Sequence, residues 1–183
     1  MSRVIGAPDP REVGTGNAGA TNLALHAGVG AGLVVFLIDL AKGLVAVTAG
    51  AGWDGPAAAT SAGIGAVVGQ IAPVFTGFRG GKGVATTLGG YIGIAPLVAA
   101  AAIGLWAVNA FVVVRRFIIA TVVTMVTLAV VLAVMQPPAW LRVYAAATAI
   151  VTIWAHRRDL RAWRAGQMPT VGQALRDNPL KNR

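Results

Sequence analysis

Residues 117–135 read FIIATVVTMVTLAVVLAVM, an apolar stretch without a single charged side chain. About 20 residues of this kind are enough for an α-helix to cross the hydrocarbon core of a bilayer. The stretch does not alternate between apolar and polar residues, as the strands of a membrane β-barrel do. It therefore predicts a transmembrane helix.

Similar stretches recur throughout the chain of 183 residues, of which 56% are hydrophobic and 11% charged. Mean hydropathy is +0.72. The expected membrane segments are 29–52, 57–75, 84–95, 96–114, 117–135 and 138–155. Because lipid admits only helices or closed barrels, we predict an all-α, polytopic transmembrane bundle with about six membrane segments. The segment 84–95 is short for a span, so its fusion with the next segment across Pro96 gives a five-span alternative.

The basic residues predict the orientation of this bundle. The chain carries 15 lysines and arginines against six acidic residues, for a net charge of +9. With six segments, all basic residues except Lys42 and Arg142 fall on one side, which the positive-inside rule makes cytoplasmic. Both termini then face the cytoplasm, and the charge is expected to meet membrane lipids rather than nucleic acid. One integral-membrane domain, 1–183, would comprise a cytoplasmic motif loop (1–28), membrane helices (29–155) and a basic cytoplasmic tail (156–183).

Some functional classes are disfavoured by composition. Cysteine is absent and only two histidines are present, so we expect no disulfide, no metal cluster and no bound cofactor. The chain opens with polar residues, so no cleavable signal is expected and insertion would begin with an internal helix. No inverted repeat is visible, which disfavours a small-solute transporter.

A polar, glycine-rich run precedes the first apolar segment, where residues 14–22 read GTGNAGATN. Backbone amides packed this densely, together with small hydroxyl and amide side chains, suit an anion-binding loop. The candidate ligand-binding residues in this run are Thr15, Gly16, Asn17, Thr21 and Asn22.

A second glycine-rich run, FRGGKGVAT at residues 78–86, leads into the third apolar segment. Free backbone amides and the positive end of a helix dipole attract phosphate at such a junction. The run is not a nucleotide-binding P-loop, because glycine follows the lysine where Ser or Thr is required. We expect phosphate to be bound by Arg79, Gly80, Gly81, Lys82 and Gly83.

Two pairs of titratable residues stand three positions apart, which places the members of each pair on one helix face. Asp39 and Lys42 form either an internal ion pair or a pair in which Asp39 holds the lysine side chain towards an anionic substrate. The stretch that contains His156 and Asp159 is either the basic end of a helix at the membrane interface or the place where the Asp159 carboxylate orients the His156 imidazole.

Taken together, these motifs resemble the bacterial membrane family of acyl-phosphate:glycerol-3-phosphate acyltransferases, the PlsY type. The resemblance rests on REV at 11–13 running into 14–22, on Asp39 with Lys42 and Gly43, on PVF at 73–75 leading to 78–86, and on His156 with Arg157. These elements occur in family order at family spacing over nearly the whole chain.

The resemblance implies an enzyme of phospholipid synthesis in the bacterial cell (inner or plasma) membrane. It implies transfer of a fatty acyl group from acyl phosphate to the 1-hydroxyl of glycerol 3-phosphate, forming lysophosphatidic acid. On this reading His156 and Asp159 are catalytic, and Lys42 and Arg116 add positive charge to the substrate-binding residues named above. Other membrane enzymes of phospholipid synthesis are further expected partners.

The chain departs from the family pattern at several motif positions. Leu25 stands where the family has Arg, Gln70 where it has His, Asp159 where it has Asn and Gln167 where it has Glu. The hydrophobic span that usually precedes the first motif is expected to be missing or to lie upstream of Met1. These differences leave an alternative open, namely a degenerate relative that binds lipid or phosphate without turnover.

Overall fold

The computed structural model of the chain describes residues 19–168 and Gln173, and this part is helical without any strand. The helices are α1 (Ala20–Ala27), α2 (Val29–Ile71), α3 (Val84–Ile94), α4 (Pro96–Val108), α5 (Phe117–Met135), α6 (Ala139–Ala155) and α7 (Arg157–Arg164). A 3-10 turn spans Val74–Thr76 and a π turn spans Asn109–Val113. The all-α prediction is confirmed.

The first two predicted membrane segments form the long helix α2, which is broken in its middle. Asp54 (φ −146°, ψ 40°) and Gly55 (φ 67°, ψ −155°) leave the helical conformation, and Pro56 follows directly. Proline suits the first position of a new helix, because its missing N–H would be unpaired there anyway. The second half ends at Ile71, short of the predicted boundary, two residues before Pro73.

The third and fourth predicted segments remain separate helices. Ala95 has φ −155° and ψ 72°, which ends α3, and Pro96 opens α4. A residue before proline is disfavoured in the helical region, so the helix breaks at this point. The fusion across Pro96 that the five-span alternative required is wrong.

In the part of the chain that the structure describes, three helical stretches are long and apolar enough to cross a membrane, namely Val29–Thr76, Pro96–Val113 and Phe117–Met135. The first of them contains the break at Asp54 and Gly55. Val84–Ile94 and Ala139–Ala155 are shorter apolar helices.

Close contact between α2 and α3 forms the centre of the bundle. A methyl group added at Gly43 would overlap the carbonyl oxygen of Thr86, and one added at Gly89 would overlap that of Leu40. The two backbones therefore approach more closely than any larger residue allows, as small residues permit in membrane helix pairs.

Around this contact, α5 and α6 complete the core, where Tyr91 of α3 meets Tyr144 of α6. Their rings pack edge to face with centroids 5.0 Å apart, and the Tyr144 hydroxyl donates to the Thr87 carbonyl at 3.1 Å. The hydroxyl therefore has a partner despite full burial, and it joins α6 to α3.

Helix α1 corrects one prediction, because residues 20–27 were expected to belong to a loop. This stretch contains neither glycine nor proline, and it packs against the start of α2. A methyl group added at Gly32 of α2 would lie 2.5 Å from the Ala24 Cβ. Tertiary contact with α2 thus stabilises a helix that is too short to be stable alone.

Candidate functional site: a cavity with polar and apolar lining residues

A cavity of about 580 Å³ lies between α1, α2, α3, α4 and α5, and His156 also lines it. Its lining includes polar groups from four parts of the chain: Thr21, Asn22, Asp39, Lys82, Thr86 and His156. Helices α4 and α5 contribute mostly apolar side chains, among them Ile103, Trp106, Phe117, Ile118 and Met125. The cavity therefore offers both polar and apolar contacts to a ligand.

The glycine loop, defined as residues 80–83, is held against the end of α2 by its backbone. The Gly80 N–H donates to the Ile71 carbonyl at 3.2 Å, and the Gly81 N–H donates to the Gln70 carbonyl at 3.0 Å. Gly83 then adopts φ 76°, a left-handed conformation that side chains disfavour, and α3 begins at the next residue. This geometry places the start of α3 and the Lys82 side chain beside the cavity.

Lys82 is paired with an acidic residue from the far end of the chain. Its Nζ lies 2.6 Å from the Asp159 Oδ2, and the two side chains are only 15% and 14% exposed. The pair connects the glycine loop to α7 across 77 residues of sequence.

His156 lies directly after α6, outside the apolar helix, and is 2% exposed. Its Nδ1 is 2.8 Å from the Thr152 carbonyl oxygen. A carbonyl only accepts, so Nδ1 carries the proton, and in the neutral ring Nε2 has the free lone pair. The expectation that Asp159 orients this imidazole is wrong, because Thr152 binds the ring and Asp159 binds Lys82.

Burial lowers the pKa of His156, and the neighbouring Lys82 cation lowers it further. The Thr152 carbonyl and the Asp159 carboxylate act in the opposite direction but do not overcome these effects. The imidazole is therefore neutral at pH 7, which is the form that can accept a proton.

Asp39 and Lys42 form the internal ion pair that their spacing suggested, with 2.9 Å between the Asp39 Oδ1 and the Lys42 Nζ. The same Nζ donates to the Gln70 Oε1 at 2.9 Å. Asp39 lines the cavity, whereas the half-exposed Lys42 side chain is directed to the residue that also holds the glycine loop.

The structure brings together only part of the predicted site. Among the predicted residues, the cavity lining contains Thr21, Asn22, Lys82, Gly83 and His156. Arg79 is exposed, and the Arg116 Nε donates to the Met168 carbonyl at 3.5 Å, so neither is in the lining. The lining also lacks Lys42, Gly80, Gly81 and Asp159. Thr15, Gly16 and Asn17 fall outside the described residues.

Thr86 and Trp106 are cavity residues that the sequence did not identify. Thr86 is fully buried, and within the described part of the chain its hydroxyl has no hydrogen-bond partner. A buried polar group without a partner is uncommon. Thr86 belongs to the cavity lining, but its hydroxyl oxygen is closed to solvent, so a ligand reaches it only after a local rearrangement. Trp106 donates from its Nε1 to the Thr121 Oγ1 at 3.0 Å. The only signal for Thr86 in the sequence was its place at the end of the motif 78–86.

These features define a class, namely integral-membrane helical proteins with a cavity between their helices. Residues 1–166 match the family model described as glycerol-3-phosphate acyltransferase. The chain is 38% identical over 168 residues to the glycerol-3-phosphate acyltransferase of Pseudomonas syringae pv. tomato, covering 91% of this chain and 86% of that one. It is 34% identical over 179 residues to the Synechococcus sp. (strain JA-3-3Ab) protein of the same name, with coverage of 98% and 88%.

Solved structures agree with these sequence relatives. The glycerol 3-phosphate form of PlsY, an integral membrane glycerol 3-phosphate acyltransferase, superposes with a TM-score of 0.84 at 29% identity, covering 92% of this chain and 86% of that one. Its lysophosphatidic acid form gives 0.79 at 28% identity, with coverage of 88% and 84%. The chain belongs to the glycerol-3-phosphate acyltransferase family of the PlsY type, as its motifs indicated.

Proposed function

We propose that this chain transfers a fatty acyl group from an acyl phosphate to the 1-hydroxyl of glycerol 3-phosphate, yielding lysophosphatidic acid and inorganic phosphate. One observation carries the proposal beyond family membership: a single cavity joins Lys82, Thr86 and His156 to an apolar wall formed by α4 and α5. Both the acyl donor and the product are polar at one end and apolar at the other.

The polar part of the lining supplies the groups that phosphate binding requires. The first turn of α3 presents backbone N–H groups, and Lys82 contributes a cation. Thr86, in the same turn, has a buried hydroxyl without a hydrogen-bond partner in the described part of the chain. The buried Asn22 adds an amide at the same cavity. In the proposed site these groups bind the substrate phosphates, supported by Thr15, Gly16 and Asn17 from the motif loop and by Lys42, Arg79, Gly80, Gly81 and Arg116 nearby.

The apolar wall suits an acyl chain. Trp106 stacks on Phe117 with ring centroids 5.9 Å apart, and Met125 adds a flexible apolar side chain beside them. Such a wall keeps the chain out of water, which is worth about 0.8 kcal/mol per methylene relative to aqueous exposure but adds little relative to the bilayer interior.

The acyl transfer itself needs little beyond positioning and charge neutralisation. The glycerol hydroxyl oxygen attacks the acyl carbonyl carbon, the bond from that carbon to the phosphate oxygen breaks, and phosphate leaves with the bonding electrons. Neutral His156 accepts the hydroxyl proton on Nε2 while Thr152 holds its Nδ1–H.

For the setting of the reaction, we infer a bacterial plasma membrane with six membrane segments and both termini in the cytoplasm. The motif loop (1–28, with α1 at its end) and the basic tail (156–183) then lie on the side where glycerol 3-phosphate is dissolved. A membrane enzyme that produces acyl phosphate is the natural partner. The support is the concentration of Lys and Arg on one side of the predicted spans.

The proposal is tested by assaying lysophosphatidic acid formation by the full, detergent-purified chain and by Lys82→Ala and His156→Ala. We expect both variants to lose at least about a hundredfold in kcat/KM, because one removes phosphate binding and the other the proton acceptor. Ser61→Ala, at an exposed position in the second half of α2, is the control and should keep full activity. Folded variants with the activity of the unaltered chain would contradict the assigned roles.

A further inference from the structure

Both lysines near the cavity are neutralised by aspartates. Lys42 lies 2.9 Å from Asp39, and Lys82 lies 2.6 Å from Asp159. Of these two lysines only Lys82 lines the cavity, so an anionic ligand that enters it meets a lysine that already has an acidic partner.

The two pairs differ in which member lines the cavity. In the first pair it is Asp39, 10% exposed, whereas its lysine is 49% exposed to solvent and lies outside the lining. Lys82 and Asp159 are 15% and 14% exposed, and Lys82 lines the cavity. Charges act more strongly on one another where water is largely excluded, so Asp159 opposes an incoming phosphate more effectively than an exposed acid does.

We propose that Asp159 limits the affinity of the cavity for phosphate by occupying Lys82. A phosphate oxygen must displace the carboxylate from Nζ or share Nζ with it, and it binds under repulsion from the carboxylate in either case. The inference rests on the proposed function, since it concerns how the same cavity takes its phosphate-bearing substrate.

The substitution Asp159→Asn removes the negative charge and keeps the size and shape of the side chain. The amide oxygen of asparagine can still accept a hydrogen bond from Lys82, so the connection between the glycine loop and α7 remains while the negative charge is removed. If Asp159 only joins these two elements, the substitution weakens or preserves ligand binding. If it competes with phosphate, the substitution strengthens binding.

The experiment measures glycerol 3-phosphate binding by calorimetry on the full, detergent-purified chain and on Asp159→Asn. We expect about a tenfold decrease in Kd, together with a lower KM for glycerol 3-phosphate. Asp159→Ser provides a second neutral residue and should also tighten binding, although it lacks the amide oxygen. Asp54→Asn, in the exposed break of α2, changes net charge equally and should leave Kd unaltered.

The outcomes separate this inference from the proposed function. The inference alone is overturned if the unaltered chain binds and turns over substrate while both folded Asp159 variants have an equal or larger Kd. If the unaltered chain and every variant fold but neither bind glycerol 3-phosphate nor form lysophosphatidic acid, the proposed function is overturned, and the inference with it. A tenfold gain that Asp54→Asn also shows would reflect net charge and would likewise overturn the inference.

Discussion

At the scale of single residues, the protonation state of His156 decides whether the proposed reaction has a proton acceptor. The carbonyl of Thr152 requires a proton on Nδ1, and burial beside Lys82 disfavours a second proton on Nε2. The ring is thus held in one tautomer with its lone pair on the remaining nitrogen.

A titration tests this state directly. Because burial and Lys82 lower the pKa of His156, its ring should titrate below pH 6.5, the ordinary value. NMR of chain labelled at histidine shows two ring signals, and His26→Gln identifies the one that belongs to His156. A His156 midpoint at or above pH 6.5 would contradict the buried, neutral ring.

The same shift predicts the pH dependence of stability. The unfolded chain takes up a proton on this histidine near pH 6.5, before the folded chain does. His156 therefore stabilises the fold above pH 6.5 and loses that contribution as the pH falls below it. The Tm of the unaltered chain should fall more steeply between pH 7 and pH 5 than that of His156→Gln, and parallel curves would count against the shift.

At the scale of helices, the contact between α2 and α3 positions the site. It places Asp39 on one wall of the cavity and the first turn of α3 on another, so any separation of these helices alters the polar part of the lining.

Alanine substitutions measure how closely these helices approach. Gly43→Ala and Gly89→Ala should each lower the free energy of unfolding by about 1–3 kcal/mol, because the added methyl group meets a backbone carbonyl that cannot rotate away. Gly65→Ala and Gly69→Ala are matched controls within α2, since a methyl group there meets nothing within 4 Å. These controls should be neutral or stabilising by up to about 1 kcal/mol. Thermal unfolding in detergent gives the values, and equal effects in both sets would refute the close packing.

The sequence predicted the helices well and the side-chain partners poorly. Apolar length identified residues 117–135 at their observed bounds, and Pro96 marked a true break. Local spacing identified the pair of Asp39 and Lys42, because both lie on one helix. It assigned Asp159 to His156 for the same reason, whereas a residue 77 positions away is the actual partner. Such a contact depends on how α7 meets the glycine loop, which no local pattern contains.

At the scale of the whole molecule, the orientation in the membrane can be mapped with single introduced cysteines. The chain contains no cysteine of its own, so only the introduced residue is labelled. Asp54→Cys and Ala139→Cys should react with an impermeant maleimide in intact bacterial cells, because the inferred topology places both outside. Arg158→Cys and Arg164→Cys should react only after the cells are opened. All four positions are exposed, so the reverse pattern would contradict the inferred orientation.

If one cavity holds both substrates, the purified chain should transfer the acyl group from acyl phosphate to glycerol 3-phosphate. This reaction is measured in lipid vesicles by following both products. We expect lysophosphatidic acid and inorganic phosphate in equal amounts, with neither formed when glycerol 3-phosphate is withheld. A folded chain that binds glycerol 3-phosphate yet forms no lysophosphatidic acid would contradict this expectation and identify a non-catalytic relative of the family.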